Sequence, residues 1–414
     1  MDNNKKICKN FFRFMGLPKQ LIWGFIALFF FITGATLEQG WFSSYLVDRG
    51  IDRVQVSLIF TVYGIMVAFV AWITGVCTKR FGSNRIMMSG IVLYFFASIP
   101  LIFLAIPEKN VCFIMITYAL RGASYPLFAY SFLVMINDLT PVNILARAMS
   151  WFWTFFGLGM TVIGPLFSSG LIPIIGENGT LVSGFCMVSL ATICTYMLER
   201  TNKIDLKRNE ISGESKGSFG DLFYAFTDFK LGISVIVKAI NDIGKFGYVI
   251  IMPIYLKEFG FSTMEWLNLW GTINMLGLVM NYVFGLIGDK FGWRNTVMVF
   301  GGTFCFLGTL GLWLSPIVLG HSITGLAVSL VFYLVGLGGF GPLSALIPNL
   351  KPENTAAGVS ALNLGIGMSN LLGPLLVTVF LQPFGPSGAL IAIAITYLLA
   401  TPLSYFLKVP KSLN

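Results

Sequence analysis

Long apolar stretches recur along the whole chain and are separated by short polar connections. Most hold about 20 residues or more, the length that an α-helix needs to cross the hydrocarbon core of a bilayer. Residues 200–229 are instead polar, rich in charge and without an apolar period, and are predicted to form a linker outside the membrane. The pattern predicts an all-α membrane protein with twelve spans, numbered 1 to 12, at about 21–47, 55–78, 85–106, 111–137, 146–170, 180–199, 230–256, 263–287, 295–315, 322–347, 356–381 and 386–408.

Short motifs recur at an offset close to half the length of the 414-residue chain. Residues 45–50 and 255–260 share the pattern Tyr-Leu-x-acid-x-Gly, and they stand 210 residues apart. Residues 75–82 and 285–292 also stand 210 apart, and each segment begins with glycine and ends with a basic residue, phenylalanine and glycine. One nearly constant offset at separate sites indicates an internal duplication.

The duplication predicts two six-span halves. They comprise residues 1–199 and 230–414, and the linker at 200–229 joins them. Two halves in parallel repeat are typical of secondary transporters, which place the substrate site between the halves near the middle of the membrane. Substrate-binding groups are therefore expected at middle depth within the spans.

Composition agrees with the hydrophobic pattern, since 56% of the residues are hydrophobic and only 11% are charged. Soluble domains average about 25% charged residues, so the composition excludes a soluble protein. The net charge of +9 does not indicate a nucleic-acid partner, because the basic residues concentrate before span 1 and between residues 200 and 230. By the positive-inside rule, this asymmetry predicts that both termini and the linker are cytoplasmic.

Five ionisable side chains fall well inside predicted spans: Glu38, Arg121, Lys238, Asp242 and Lys245. A charge in the membrane interior costs about 2.5–3.5 kcal/mol on insertion scales, so such residues face a cavity or a partner. A rise of about 1.5 Å per residue, counted from the span ends, puts Glu38 and Arg121 at similar depth and predicts an ion pair if spans 1 and 4 are neighbours. The pair could serve function, or it could only hold two helices together.

The polar residues of span 7 follow helical spacing. Lys238, Asn241, Asp242, Lys245 and Tyr248 would lie on one face of a continuous helix. We expect this face to line a water-filled cavity and, together with Arg121, to bind substrate, because two lysines exceed one carboxylate; pairing within the helix is the alternative. Further substrate-binding candidates, each of which could instead join helices, are Tyr125, Asn274, Tyr333, Asn363 and Asn370.

The loops after spans 2 and 8 resemble the signature of the major facilitator superfamily, in which Gly, three residues, Asp, Arg, one residue and Gly precede basic residues. The matching positions are Gly75, Arg80, Gly82, Gly285, Asp289, Gly292 and Arg294. The first copy departs from the signature, because Lys79 stands where the Asp is expected. The resemblance implies the major facilitator fold and a cytoplasmic gate at this motif, with a different latch in the first half.

Two stretches resemble one particular family within this superfamily. Residues 37–50, LEQGWFSSYLVDRG, and residues 120–134, LRGASYPLFAYSFLV, are similar to the polyol permease family, which contains the ribitol and arabinitol permeases. The resemblance implies proton-coupled uptake of a linear sugar alcohol, such as ribitol or arabinitol, across a bacterial inner membrane. Some relatives in this family are α-ketoglutarate permeases, and the lysine excess of span 7 suits an anion. A proton-coupled dicarboxylate permease is therefore the alternative.

Glu38 is the predicted proton carrier. Burial favours its protonated form and Arg121 favours the carboxylate, so a change of surroundings can switch its state. Asp242 is the competing candidate, although a lysine on each side favours its charged form. The sequence contains neither a GxxxxGK[ST] loop nor a Cys/His cluster, so we predict no enzymatic activity, no cofactor and no metal site. The expected partners are a small-molecule substrate, a proton and the lipid bilayer, and a monomer is expected.

Overall fold

The computed structural model describes residues 19–140, 142–209, 228–351 and 355–408, and these residues are predominantly helical. Helices suit an apolar solvent because they satisfy their backbone hydrogen bonds internally. The α-helices, in chain order, are Ile22–Ala35, Phe42–Asp48, Arg53–Phe81, Ser83–Pro100, Val111–Leu139, Val142–Gly157, Gly164–Asn209, Phe229–Asn241, Ile243–Lys257, Thr263–Phe291, Trp293–Thr296, Gly302–Leu319, Ile323–Gly339, Leu343–Leu346 and Thr355–Ser404. Segments of π-helix are Leu101–Ala105, Leu158–Ile163 and Val297–Gly301, and 3-10 turns are Lys19–Leu21 and Pro348–Leu350.

These helices make up twelve spans. Within the described residues, eight helical stretches are long and apolar enough to cross a bilayer. Two of those stretches hold two spans each, because Gly176 and Gly385 interrupt them with non-helical φ angles of 70° and 64°. Spans 1 and 7 complete the count, and each is divided into two shorter helices. The prediction of an all-α protein with twelve spans is therefore confirmed.

Span 1 is broken, so the prediction of one continuous helix is wrong there. Its first helix, Ile22–Ala35, is followed by a turn at residues 36–41 and by the helix Phe42–Asp48. Gly40 stands in the turn with a φ of 94°, a left-handed conformation that other residues rarely adopt. Glu38 belongs to this turn, so an irregular backbone rather than a helix face directs its side chain.

Side chains satisfy the backbone that the break in span 1 exposes. The carbonyl oxygen of Leu37 accepts a hydrogen bond from Trp41 Nε1 at 2.8 Å and another from Ser168 Oγ of span 5 at 2.6 Å. Backbone groups without partners are costly in the membrane interior. Span 5 therefore helps to stabilise the break.

Span 7 is also divided, and the prediction of a continuous helix at 230–256 is wrong. The helices Phe229–Asn241 and Ile243–Lys257 are separated at Asp242, whose φ and ψ are −105° and 6°. No proline stands at this point in the sequence. The break therefore depends on groups from outside span 7, which are described below.

Left-handed glycines recur at nearly the offset found in the sequence. The pairs are Gly50 and Gly260, Gly82 and Gly292, and Gly176 and Gly385, with φ angles between 64° and 92°. The connections after spans 1, 2 and 5 thus resemble those after spans 7, 8 and 11. The division into halves at 1–199 and 230–414 remains a prediction. The helix of span 6 continues to Asn209, and residues 210–227 of the predicted linker lie outside the described residues.

The two sets of six spans pack closely through spans 2 and 11 and through spans 5 and 8. A Cβ on Gly64 would overlap the backbone of Asn370, and one on Gly271 would stand 2.7 Å from a leucine of span 5. Small residues allow such close approach between membrane helices. We call the side of the membrane at which spans 1 and 2 connect the Gly50 end, and the side at which spans 2 and 3 connect the Gly82 end.

Candidate functional site

Glu38 and Arg121 form the predicted ion pair. Glu38 Oε2 lies 2.6 Å from Arg121 Nη2, and the two side chains are 0% and 2% exposed. Tyr118, one turn before Arg121 in span 4, donates a hydrogen bond to Glu38 Oε1 at 3.4 Å. The pairing is therefore confirmed, and Tyr118 is a partner that the sequence analysis missed, although its position three residues before Arg121 places it on the same helix face.

Arg121 has hydrogen-bonding capacity to spare. Its guanidinium carbon lies 5.1 Å from the centre of the Tyr94 ring, which is a cation–π distance. Its Nε and Nη1 atoms are buried and have no hydrogen-bond partner in the part of the chain that the structure describes. A buried donor without a partner costs about 1–3 kcal/mol, and more on a charged group. The guanidinium can thus hold Glu38 and a second acceptor together.

Tyr125, one turn further along span 4, reaches across to span 11. Its hydroxyl donates a hydrogen bond to Oδ1 of Asn370 at 2.7 Å, and both side chains are buried. The amide nitrogen of Asn370 donates to the carbonyl oxygen of Ile366 in its own helix at 3.0 Å. The structure therefore brings two predicted residues together where the two sets of spans meet.

The break divides the polar stripe predicted on span 7. Lys238 Nζ lies 3.4 Å from Asp242 Oδ2, and Lys245 interacts with Asp242 electrostatically without a hydrogen bond. These three residues, which we call the span 7 charge cluster, are partly exposed, whereas Asn241 and Tyr248 are buried. The prediction of one continuous polar face is wrong, because the helix is broken at Asp242 and two of the five polar residues are buried.

The span 7 charge cluster lies near span 4. Asp242 is within electrostatic reach of the hydroxyl of Tyr130, which is half-buried and whose ring centre lies 6.4 Å from that of Tyr125. Polar groups therefore extend from Asn370 through Tyr125 and Tyr130 towards Asp242. Tyr130 is not among the predicted candidates. Its position in the span 4 stretch that resembles polyol permeases is the signal that could have found it.

The remaining substrate-binding candidates differ in their surroundings. Asn274 is buried and donates to the carbonyl oxygen of Trp270 in its own helix at 2.8 Å. Tyr333 is fully buried, and its hydroxyl lies 3.3 Å from that of Tyr397. Asn363 is exposed. Asn274 and Tyr333 are thus engaged within the helix packing of this structure, whereas the amide of Asn363 is accessible.

The predicted gate motif lies at the Gly82 end. Asp289 is exposed and accepts a hydrogen bond from Trp293 Nε1 at 3.0 Å, within its own copy of the motif. Arg294 stands 5.8 Å from the ring centre of a tyrosine that follows span 12. A Cβ on Gly75 or on Gly285 would have no atom within 4 Å. Both motif glycines therefore border open space.

The first copy of the gate motif shows no equivalent of the Asp289 interaction among its described groups. Arg80 is exposed, and its guanidinium lies 5.6 Å from the ring centre of Phe81. The side chain of Lys79, for which we predict a different latch, lies outside the described part of the chain.

Ion pairs join the two sets of spans at the Gly50 end. Asp48 pairs with Lys257, and Arg53 pairs with Glu258 at 2.5 Å. Deeper in the membrane, the Ser43 hydroxyl donates to a carbonyl oxygen of span 7 at 2.9 Å. Asp48 and Glu258 are equivalent positions of the repeat, so each copy supplies an acid for a base of the other. These contacts hold the Gly50 end together.

Several known proteins resemble this chain in sequence or in fold. The α-ketoglutarate permease of Bacillus subtilis is 39% identical over 401 residues, which cover 96% of this chain and 91% of that protein. The D-arabinitol transporter of Klebsiella pneumoniae is 32% identical over 96% of this chain and 95% of its own length. The inward open conformation of the xylose transporter XylE from E. coli has a similar fold, with a TM-score of 0.70 and 14% sequence identity. The match covers 95% of this chain and 96% of that structure.

The sequence profile of the Major Facilitator Superfamily matches residues 21–352 and 234–414. The resemblance to polyol permeases is confirmed at the level of similarity, and the matched relatives are transporters rather than enzymes. Together with the twelve apolar spans, these matches indicate a multi-pass protein of the bacterial inner membrane. The chain belongs to the Major Facilitator Superfamily and is a membrane transporter of small organic solutes.

Proposed function

We propose that this transporter couples proton movement to the uptake of a small organic anion of the dicarboxylate class. The observation that carries the proposal is the excess of cations in the membrane interior. Arg121, Lys238 and Lys245 are opposed by only two carboxylates, those of Glu38 and Asp242. An uncompensated charge in this environment is costly. A substrate carboxylate would supply the missing negative charge.

Spare donors support the same substrate class. Lys245 makes no hydrogen bond to the described residues, and neither do Nε and Nη1 of Arg121. Arginine and lysine are strong partners for carboxylates because their hydrogen bonds are charge-assisted. The α-ketoglutarate permease of Bacillus subtilis, at 39% identity, adds support from similarity.

A linear sugar alcohol is the second candidate. Tyr125, Tyr130 and Asn370 offer hydroxyl and amide groups that can both donate and accept hydrogen bonds, as a polyol requires. The D-arabinitol transporter of Klebsiella pneumoniae, at 32% identity, supports this candidate. A neutral polyol would leave the excess positive charge uncompensated, which is why we place it second.

Glu38 is the proposed proton carrier, with Asp242 as the alternative. The carboxylate of Glu38 is sealed from solvent and held by one cation. A movement of span 1 relative to span 4 would change its distance from Arg121 and so its affinity for a proton. Proton occupancy can then bias which side of the transporter opens, as coupling requires.

The proposed orientation places the Gly82 end and both termini in the cytoplasm. The concentration of basic residues before span 1 and in the linker supports this orientation. In that case the ion pairs of Asp48 and Arg53 close the outer side, and the open space beside Gly75 and Gly285 lies on the inner side. The structure would correspond to a state that releases substrate inward.

Uptake into proteoliposomes tests the proposed substrate class. Labelled α-ketoglutarate, succinate, ribitol and D-arabinitol are offered with and without an inward proton gradient. We expect dicarboxylate accumulation that needs the gradient, and competition by unlabelled dicarboxylates. Accumulation of a polyol without dicarboxylate uptake would reject the anion proposal in favour of the second candidate.

A further inference from the structure

We propose that Tyr397 of span 12 is a positioning residue for the span 7 charge cluster. Its hydroxyl holds span 7 open at the break and so fixes the directions of Asp242 and Lys245. The functional part of this inference rests on the proposed role of these charges in substrate binding. The structural part, that one hydroxyl maintains the break, can be tested without a known substrate.

The Tyr397 hydroxyl binds both edges of the break. It accepts a hydrogen bond from the N–H of Gly244 at 2.8 Å and donates one to the carbonyl oxygen of Asn241 at 3.3 Å. In a continuous helix, the Gly244 N–H would donate to residue 240, and the Asn241 carbonyl would accept from residue 245. One hydroxyl therefore replaces two backbone hydrogen bonds that the break removes.

Gly244 lets the hydroxyl reach the backbone. A Cβ at this position would stand 2.6 Å from Tyr397 Oη, which is closer than real Cβ contacts allow. Tyr397 itself is fully buried, so water does not compete for these backbone groups. The approach of span 12 to span 7 thus depends on a glycine on one helix and a tyrosine on the other.

The hydrogen bonds of Tyr397 fix the direction of the Tyr333 proton. The two hydroxyl oxygens are 3.3 Å apart. A tyrosine hydroxyl has one proton to donate and two lone pairs to accept with. Because Tyr397 donates to Asn241, Tyr333 donates to Tyr397. Buried hydrogen bonds thus connect Tyr333 through Tyr397 to the backbone of span 7. Tyr333 therefore contributes to the site without touching substrate.

Loss of the hydroxyl would favour closure of the break. A buried N–H and a buried carbonyl oxygen would lose their partner, and the nearest replacement is the bond that each would make in a regular helix. Closure would place Lys238, Asp242 and Lys245 on a common helix face, as the sequence spacing alone predicts. Lys245 would then leave its present position relative to Asp242.

Tyr397→Phe tests the inference by transport. We expect the KM for the transported anion to rise about tenfold with an unchanged maximum rate per folded transporter. A merely structural defect would lower the maximum rate and leave KM unaltered. Tyr255→Phe is the matched control, since Tyr255 is also buried in span 7 and its hydroxyl donates to a backbone carbonyl, that of Trp313, at 2.6 Å. It should leave KM unchanged.

Thiol labelling tests the inference without a substrate. In a background without native cysteines, Lys245→Cys is reacted with a small water-soluble thiol reagent, with and without Tyr397→Phe. We expect Tyr397→Phe to change the labelling rate severalfold, and Tyr255→Phe to leave it unaltered. A changed labelling rate in Tyr397→Phe, together with failed anion uptake, would reject the proposed function and support the role of Tyr397.

Unchanged labelling and unchanged KM in Tyr397→Phe would overturn the inference. If Tyr397→Phe does not fold, Gly244→Ala takes its place, because it keeps the hydroxyl but displaces it from the backbone. Gly244→Ala should then raise KM and alter labelling at Lys245→Cys in the same direction. A native KM and a native labelling rate in folded Gly244→Ala would contradict a positioning role for Tyr397.

Discussion

Glu38 and Tyr248 occupy equivalent positions of the repeat, 210 residues apart, but only Glu38 carries a charge. Glu38 is paired with Arg121, whereas the Tyr248 hydroxyl lies 2.5 Å from Thr309 Oγ1. The buried acid–base pair is therefore a property of the first set of spans. The second set carries its charges one to three turns earlier, in the span 7 charge cluster.

Glu38→Gln should separate exchange from accumulation. The amide resembles the protonated acid and cannot release a proton, so substrate exchange across vesicles should persist while uphill accumulation driven by a pH gradient is lost. Both are measured with labelled substrate in proteoliposomes. If Glu38→Gln retains accumulation and Asp242→Asn loses it, Asp242 is the proton carrier. Loss of both activities in Glu38→Gln would indicate a binding or folding role instead.

Arg121→Met should destabilise the protein strongly. It leaves the buried carboxylate of Glu38 without its cation, and breaking a buried pair in this way costs about 3–5 kcal/mol. Glu38→Gln combined with Arg121→Met should recover much of the loss, because neither partner remains charged. Thermal unfolding in detergent measures both variants. If the double variant is no more stable than Arg121→Met, the pair does not account for the loss.

Lys245→Met should abolish transport of an anion and leave part of any polyol transport. The substitution keeps the apolar stem and removes the ammonium group, which has no hydrogen bond to the described residues. Uptake of both substrate classes is measured at equal membrane expression. Lys408→Met, at an exposed position after the helix Thr355–Ser404, is the control and should transport normally. Undiminished anion uptake by Lys245→Met would contradict the proposed anion contact.

The ionisation of Asp228 should make the stability of the protein depend on pH in the acid range. It caps span 7 by accepting the N–H groups of Lys230 and Leu231, each at 3.0 Å, and it pairs with Lys351. Burial alone would raise its pKa, but the hydrogen bonds and the Lys351 charge outweigh burial, and the pKa of Asp228 is lowered. A lowered folded pKa adds stability above the unfolded value of about 3.9, and this stability is lost as the pH falls through the folded pKa.

Asp228→Ala is therefore expected to lower the free energy of unfolding by about 1–2 kcal/mol at neutral pH. The difference from the native protein should shrink as the pH falls below about 4. Thermal unfolding at several pH values measures it. Asp52→Ala, which removes the cap of span 2, is the control for the loss of a cap that has no ion-pair partner among the described residues. A pH-independent effect of Asp228→Ala would mean that the charge adds nothing to the cap.

Reporter fusions test the proposed orientation. Reporters at Asn414 and near Ser215, both outside the described residues, should read cytoplasmic. A reporter near Asn178, which follows the turn between spans 5 and 6, should read external. An external reading near Ser215 would contradict both the orientation and the alternation of spans.

The number of spans, the repeat and the pairing of Glu38 with Arg121 could be predicted from the amino-acid sequence. Each of these follows from local or additive properties. The length of an apolar stretch sets the span, and a rise per residue sets the depth of a side chain. Opposite charges at similar depth attract each other wherever their helices are neighbours. The spans and the repeat need no knowledge of which helix packs against which. The ion pair also requires spans 1 and 4 to be neighbours, which the family resemblance implies.

The breaks in spans 1 and 7 could not be predicted from the sequence, because they depend on contacts between distant spans. The apolar pattern runs through both breaks, because it reports hydrophobicity and not backbone hydrogen bonding. The groups that stabilise the breaks are Ser168 and Tyr397, which stand 131 and about 150 residues away along the chain. A hydroxyl at such separation can replace a helical hydrogen bond only when packing brings the spans together. For that reason the directions of Glu38, Asp242 and Lys245 could not be read from the spacing of residues along a regular helix.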